Sequence, residues 1–78
     1  MKSTVPQVFA EVLGIPAGSI SDETTPENTP EWDSLQSMNL ITALEEAFSV
    51  RFSTNEMLSM RTVGLVRNVL AAKGVDHG

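Results

Sequence analysis

A segment of helix-breaking residues between positions 14 and 32 limits the folds available to this chain more than any other feature. Its breakers are Gly14, Pro16, Gly18, Pro26 and Pro30. Because proline lacks a backbone N–H and glycine favours conformations that end helices, no continuous helix can cross this segment. We predict a long loop with a short helical turn near residues 16–20, and loops of this length are often functional. We expect Ile15, Ile20 and Trp32 to anchor it to a core.

A helix is predicted immediately before this loop. From Val5 to Leu13, apolar residues recur at i, i+3, i+4 and i+7, which places them on one helical face. Thr4 and Gln7 have the spacing of a capping box, and Pro6 lies in the first turn, where its missing N–H is not needed. We therefore predict a first helix from Val5 to Leu13.

The longest helical pattern begins directly after the loop. Asp33 is suited to be its N-cap and Gln36, three residues later, to complete a capping box, so Ser34 falls in the first turn. Apolar residues then cover a wide arc as far as Phe48, which is typical of a helix that packs against neighbours on two sides. We predict that this second helix is the central element and that Phe48 lies in the core.

Two shorter helical patterns follow. Ser53 and Glu56 form a capping-box pair at the start of a short helix, after an extended connector that contains Val50 and Phe52. Thr62 is suited to cap a last helix. Together these patterns predict an all-α fold, a four-helix bundle with a long loop between its first two helices and a short third helix.

Length and charge restrict the function further. With 78 residues the chain has room for one domain, which we assign to residues 1–75, with a frayed tail at 76–78. Ten acidic residues against five basic ones give a net charge of −5, which opposes binding to nucleic acid. Cysteine is absent, no leader pattern precedes Pro6, and no stretch reaches the ~18 apolar residues of a membrane span. We therefore expect a cytoplasmic protein that binds neither nucleic acid nor membrane.

The groups that conventional catalysis needs are missing from the sequence. His77, the only histidine, is the penultimate residue, where we expect a frayed tail. Glu45 and Glu46 are adjacent on a helix and point in different directions, which suits a solvated surface better than a catalytic pair. We predict a protein that is not an enzyme and has neither catalytic residues nor a metal site.

The tripeptide Asp33-Ser34-Leu35 places a serine hydroxyl at the start of a helix, directly after the proline-containing loop. By itself this is weak evidence for a site, because a serine at a helix start is ordinarily a cap. The residues that follow give it a second interpretation.

The sequence from Trp32 to Phe48, which reads WDSLQSMNLITALEEAF, closely resembles the second helix of acyl carrier proteins. The likeness covers nearly the whole chain and continues through Val50, Phe52, Glu56, Met60, Thr62 and Val63. The resemblance implies that Ser34 receives 4′-phosphopantetheine from coenzyme A, within a motif that Asp33 and Leu35 complete. It also implies a carrier that holds acyl groups as thioesters on this arm.

Partners and two surfaces are implied by the same resemblance. The partners are a phosphopantetheinyl transferase, an acyl-loading enzyme (an acyltransferase or a ligase), and a ketosynthase or other pathway enzymes. The residues for partner recognition are Glu31, Asp33, Leu35, Met38, Glu45 and Glu46. The residues that would line an acyl pocket between the second and third helices are Met38, Ile41, Leu44, Met57, Met60 and Leu70. Apolar residues at helical spacing are core residues first, so simple packing is the competing interpretation.

Four positions depart from the fatty acid carriers. In those proteins acidic residues usually follow the modified serine, whereas here Gln36, Ser37 and Asn39 are neutral. This difference favours a carrier of polyketide or related specialised biosynthesis. Trp32 stands where many relatives have a small residue, and we expect it to pin the loop to the core rather than to contact a partner.

Two other functions stay open. A peptidyl or aminoacyl carrier of nonribosomal peptide synthesis would share the helices and the modified serine, although Asp33 and the acidic charge favour an acyl carrier. A helical interaction module would bind a partner through the face from Leu35 to Phe48 and leave Ser34 unmodified. A stand-alone protein and a domain of a larger synthase would show the same pattern, and we expect a monomer.

Overall fold

The computed structural model describes residues 4–75, which form an all-helical fold without strands. The helices are α1 (Val5–Leu13), α2 (Ser34–Phe48), α3 (Thr54–Ser59) and α4 (Val63–Ala72), with a 3-10 turn at Ala17–Ser19. The predicted four-helix architecture, with its long loop before α2 and its short third helix, is confirmed. The tail expected at residues 76–78 lies outside the described residues. None of the helices in the described range is long and apolar enough to cross a membrane.

Side-chain caps set where α1 and α3 begin. The Thr4 hydroxyl accepts a hydrogen bond from the Gln7 N–H at 3.3 Å, and the Gln7 side chain accepts one from the Thr4 N–H at 2.9 Å. Ser53 and Glu56 repeat this reciprocal pair at 3.2 and 2.8 Å. Each box satisfies two backbone donors that no helix carbonyl can reach. Because this chemistry is local, the sequence predicts the start of α1 correctly.

The core lies between α1, α2 and α4. Its fully buried large side chains are Phe9, Leu44, Leu70, Val5, Val63 and Val66. The ring of Phe9 meets the indole of Trp32 edge to face, with centroids 5.0 Å apart and an interplanar angle of 75°. Trp32 and Ile20 are buried and Ile15 packs against the core while partly exposed. The prediction that Trp32 pins the loop to the core is confirmed.

The prediction that Phe48 belongs to the core is wrong. This residue is half-buried and packs against the edge of the core. Phe48 is the last residue of α2, and Ser49 turns the chain away immediately after it with a φ of 54°. At the other end of α2, Leu35 and Met38 are 67% and 70% exposed. The wide apolar arc of α2 is therefore covered by neighbours only in its middle.

Replacing Ser49 by glycine is expected to stabilise the protein. The left-handed conformation of Ser49 disfavours a residue with a Cβ by ~1–2 kcal/mol, whereas glycine adopts it freely. Part of this gain is offset because glycine makes the unfolded chain more flexible, so we expect about 1 kcal/mol from urea unfolding. Ser49→Ala keeps the Cβ and is the matched control. Equal stabilisation of both variants would show that φ is not the cause.

The long loop is fixed to the start of α4. The N–H of Val63 donates to the carbonyl oxygen of Thr24, and the N–H of Gly64 donates to that of Asp22, each at 3.1 Å. A Cβ on Gly64 would lie 3.2 Å from the Cβ and the carbonyl oxygen of Asp22, so glycine permits this close approach. Arg67 adds an ion pair, with its Nε 2.8 Å from the Asp22 carboxylate. The loop is thus an ordered part of the fold.

A carboxylate of α3 ties this short helix to α4. Glu56 accepts a hydrogen bond from the backbone of Ser53, and its Oε1 lies 2.9 Å from the Nζ of Lys73. The Lys73 ammonium also lies 5.7 Å from the centroid of the Phe52 ring. The hydrogen bond from the Ser53 backbone, followed by that from Lys73, lowers the pKa of Glu56.

This lowered pKa makes stability depend on pH in a defined direction. Ionised Glu56 contributes stability above its unfolded-state pKa, and the contribution is lost as pH falls through the folded-state pKa. We expect the difference in free energy of unfolding between the wild type and Glu56→Gln to shrink from neutral pH to about pH 3. Glu11→Gln, on the exposed side of α1, is the control. A difference for Glu56→Gln that does not change with pH would contradict this account.

Candidate functional site

Ser34 is the first residue of α2 and is exposed. Within residues 4–75, its hydroxyl has no hydrogen-bond partner, and the backbone N–H groups of Ser34 and Leu35 have no acceptor. The neighbouring Asp33 carboxylate accepts from the Gln36 N–H at 2.8 Å and is thereby engaged in capping the helix. The hydroxyl is therefore open to an external group, and the neighbouring carboxylate serves as a cap.

The second half of the predicted capping box of α2 does not form. The Oε1 of Gln36 accepts from the side-chain amide of Asn39 at 3.0 Å instead of from the backbone N–H of Asp33. The two amide side chains satisfy each other on the helix surface three residues apart, which is a favourable spacing. The start of α2 thus differs from the starts of α1 and α3.

A tryptophan and a serine on either side of the site are joined by a hydrogen bond. The indole Nε1 of Trp32 donates to the hydroxyl of Ser37 at 2.9 Å. The Ser37 hydroxyl in turn donates to the carbonyl oxygen of Asp33 at 3.0 Å. Sequence reasoning treated Trp32 and Ser37 separately and missed this pair. Trp32 precedes the N-cap and Ser37 is the fourth helical residue, the two positions that a hydrophobic staple joins. This spacing is the sequence signal from which the contact could have been predicted.

A cavity of about 350 Å³ lies beside α2. Five of the six residues expected for an acyl pocket line it: Met38, Ile41, Leu44, Met57 and Met60. Leu70 does not line it, and its side chain is fully buried in the core. The other residues that line the cavity were not predicted from the sequence: Phe9, Pro26, Trp32, Ser37, Leu40, Leu58, Arg61 and Val66. The long loop, through Pro26 and Trp32, thus contributes to the cavity.

Exposed apolar side chains surround this region. Met38 and Leu58 are 70% and 69% exposed and line the cavity, as does Met57. Leu35, which is 67% exposed, precedes Met38 by three residues and so lies on the same side of α2. Single exposed apolar residues are normal, whereas a group of them at the edge of a cavity is typical of an interaction surface.

The acidic residues expected to meet partners divide into two kinds. Glu31, Asp33 and Glu46 are exposed. Glu45 is half-buried, and its Oε2 accepts from the N–H of Phe52 at 2.9 Å, so it holds the connector between α2 and α3. The Glu45 carboxylate therefore has a structural contact that competes with a role in partner recognition.

Comparison with known proteins decides the family. A family model described as a phosphopantetheine attachment site matches residues 3–70. The chain belongs to the acyl carrier protein family. A protein named acyl carrier protein from Saccharopolyspora erythraea is 37% identical over 62 residues, which is 80% of this chain and 65% of that protein. Another of the same name from Acidothermus cellulolyticus is 33% identical over 58 residues, 74% of this chain and 69% of that protein.

Acyl carrier proteins are non-catalytic and carry a covalent 4′-phosphopantetheine arm. The start of α2 fits this group in three respects. The Ser34 hydroxyl is exposed and has no partner in the part of the chain that the structure describes. The N–H groups of Ser34 and Leu35, which have no acceptor in that part either, lie at the positive end of the helix dipole, and an apolar cavity adjoins the same helix. The likeness noted in the sequence is therefore family membership rather than coincidence.

Proposed function

We propose that Ser34 is the attachment point of the 4′-phosphopantetheine arm and that the protein carries acyl intermediates in the cytoplasm as a monomer. The observation that supports this best is an exposed serine hydroxyl at the first position of α2, without a partner among residues 4–75 and inside the segment that matches the family. When bound, the arm supplies a terminal thiol that holds the acyl group as a thioester. One domain, residues 1–75, is sufficient for this task.

The chain's own residues present the attachment point. Since the Asp33 carboxylate caps α2, the base that deprotonates Ser34 comes from the phosphopantetheinyl transferase. The N–H groups of Ser34 and Leu35 at the start of α2 favour the negative phosphodiester, an effect of ~0.3–1 kcal/mol at a helix start. Delivery of the cargo to partner enzymes then becomes an intramolecular encounter after docking.

The cavity beside α2 is proposed to receive part of the acyl chain. Its wall includes Met38, Met57 and Met60, whose flexible thioethers repack readily around different shapes. Trp32, the only tryptophan, also lines the cavity, so its fluorescence should change between the thiol form and an acyl form. Identical spectra for the thiol form and a series of acyl forms would contradict occupation of this cavity.

The exposed residues around Ser34 are proposed to meet the transferase, the acyl-loading enzyme, and a ketosynthase or other pathway enzymes. They are Glu31, Asp33, Leu35, Met38 and Glu46. The first turns of α2 add no acidic residue to this surface, because Gln36, Ser37 and Asn39 are neutral. We therefore assign the carrier to polyketide or related specialised biosynthesis rather than to fatty acid synthesis.

A charge-gain variant tests this assignment. Charged residues at the edge of an interface mainly change the association rate. We expect a fatty acid malonyl transferase with a basic docking surface to load the wild-type carrier slowly and Gln36→Glu/Asn39→Glu several-fold faster. Thr54→Glu/Asn68→Glu, at exposed positions of α3 and α4, adds the same two charges and is the control for net charge. Efficient loading of the wild type, with no gain in the double variant, would contradict the assignment.

The class of cargo is tested on the phosphopantetheine form. Intact-protein mass spectrometry follows loading by acyltransferases or acyl ligases in one series and by amino-acid-adenylating enzymes in another. We expect acyl groups to be loaded. Loading with amino acids and refusal of simple acyl groups would show that the protein is an aminoacyl carrier.

A further inference from the structure

The start of α2 lacks the device that fixes the starts of the two neighbouring helices. α1 and α3 each begin with a complete capping box, whereas the Gln36 side chain of α2 is bonded to Asn39. Asp33 therefore caps α2 from one side only, through its contact with the Gln36 N–H. A contact between the residue before the N-cap and the fourth helical residue is the other device that fixes the angle at which a chain enters a helix.

The Trp32–Ser37 hydrogen bond supplies that contact. Trp32 precedes the N-cap and Ser37 is the fourth helical residue, the two positions that a helix staple joins. Apolar packing is usual there, whereas here the indole N–H donates to the Ser37 hydroxyl at 2.9 Å. Both the hydroxyl and the backbone N–H of Ser37 donate to the carbonyl oxygen of Asp33, at 3.0 and 2.9 Å.

The indole is itself held in place. Only 5% of Trp32 is exposed, and its ring lies edge to face on Phe9 with centroids 5.0 Å apart. Its backbone N–H donates to the carbonyl oxygen of Thr29 at 2.9 Å. Asp33 and Ser34 thus lie between a tryptophan fixed by the core and a serine fixed by the helix.

We propose that Trp32 and Ser37 are positioning residues for the modification of Ser34. Their hydrogen bond holds the loop at one angle to α2, so that the Ser34 hydroxyl is presented to the transferase in one orientation. Among the described residues, neither side chain bonds to the reacting oxygen, and the pair bonds to the docking residue Asp33 only at its backbone carbonyl, leaving the Asp33 carboxylate in place. Loss of the contact therefore lowers the rate of transfer within the docked complex rather than docking itself. This inference rests on the proposed function.

Three variants isolate the contact. Trp32→Phe keeps an aromatic ring and removes the N–H, Ser37→Ala removes the acceptor, and Ser37→Thr retains a hydroxyl. Ser59→Ala, at the exposed end of α3, is the control. Steady-state kinetics of phosphopantetheine transfer give kcat and the KM for the carrier. NMR hydrogen exchange of the backbone amides of residues 36 and 37, which donate to the carboxylate and the carbonyl oxygen of Asp33, reports the order of the helix start independently of the transferase.

We expect Trp32→Phe and Ser37→Ala each to lower kcat about 2- to 10-fold, the usual effect of one hydrogen bond, with KM unchanged. Exchange of the two amides should become faster, the double variant should be no worse than either single one, and Ser37→Thr should behave as the wild type. The positioning role would be overturned by unchanged kcat and exchange, by losses that add up in the double variant, or by a change confined to KM. None of these outcomes would affect the modification of the wild-type protein at Ser34. A wild-type protein that no transferase modifies would overturn the proposed function itself.

Discussion

The Ser34→Ala variant is expected to accept no phosphopantetheine and therefore to carry no acyl group, while its helicity equals that of the wild type. Ser34 is exposed, and its hydroxyl has no partner among the described residues, so its removal breaks no contact of the fold. Alanine is also the strongest helix former. Intact-protein mass spectrometry after incubation with coenzyme A and a transferase measures the modification, and far-UV circular dichroism measures the fold.

Ser59→Ala is the matched control for this variant. Ser59 is also an exposed helical serine, at the last position of α3 instead of the first position of α2. Its hydroxyl bonds only to the carbonyl oxygen of Glu56, at 2.8 Å, within the described range. We expect full modification of this variant. A Ser34→Ala protein that still gains one phosphopantetheine would place the attachment point elsewhere.

The largest effect on stability is expected for Phe9→Ala. Phe9 is fully buried between the helices and supports the indole of Trp32. Truncating a buried phenylalanine costs about 3–5 kcal/mol, through lost burial and the cavity left behind. A domain of this size without disulfides rarely has more than about 3–5 kcal/mol of net stability. The variant should therefore be largely unfolded at 25 °C, as monitored by circular dichroism and urea titration.

Phe48→Ala is the control for the position of the ring. Phe48 is half-buried at the end of α2, so its truncation removes less apolar contact and leaves no closed cavity. We expect less than half of the loss seen for Phe9→Ala, with a cooperative urea transition retained. A loss for Phe48→Ala as large as that for Phe9→Ala would contradict the description of the core.

Local chemistry explains what could be predicted from the sequence. The N-cap residues Thr4, Asp33, Ser53 and Thr62 each begin a helix as predicted, because a cap acts on backbone groups only two or three residues away. The position of Ser34 at a helix start follows from the same rule. The prolines and glycines between residues 14 and 30 likewise predict where the long loop lies, because they break helices locally.

Contacts between distant residues explain what could not be predicted. Periodicity shows that Leu70 and Phe48 lie on apolar faces, but it does not show which neighbour covers each face. Leu70 is buried in the core away from the cavity, and Phe48 is left at the edge. The hydrogen bonds of the loop to Val63 and Gly64 join segments about 40 residues apart. Local sequence patterns do not predict contacts between residues so far apart in the chain.

The hydrogen-bond partners of two polar side chains in α2 also could not be predicted from residue spacing alone. Glu45 accepts from the Phe52 N–H in the connector, and Gln36 accepts from Asn39 instead of closing the capping box. The spacing of Gln36 allows either the Asp33 N–H or the Asn39 amide as its partner, so the sequence pattern does not decide between them. Of the four acidic residues expected to meet partners, Glu45 therefore has a structural contact, while Glu31, Asp33 and Glu46 are exposed.

The central claim is tested most directly by locating the modification in the wild-type protein. After incubation with coenzyme A and a broad-specificity phosphopantetheinyl transferase, fragmentation of the intact protein in the mass spectrometer assigns the added mass to a residue. The account predicts one phosphopantetheine, carried by fragments that contain Ser34. Addition at another serine, or no addition to demonstrably folded protein with several active transferases, would contradict it.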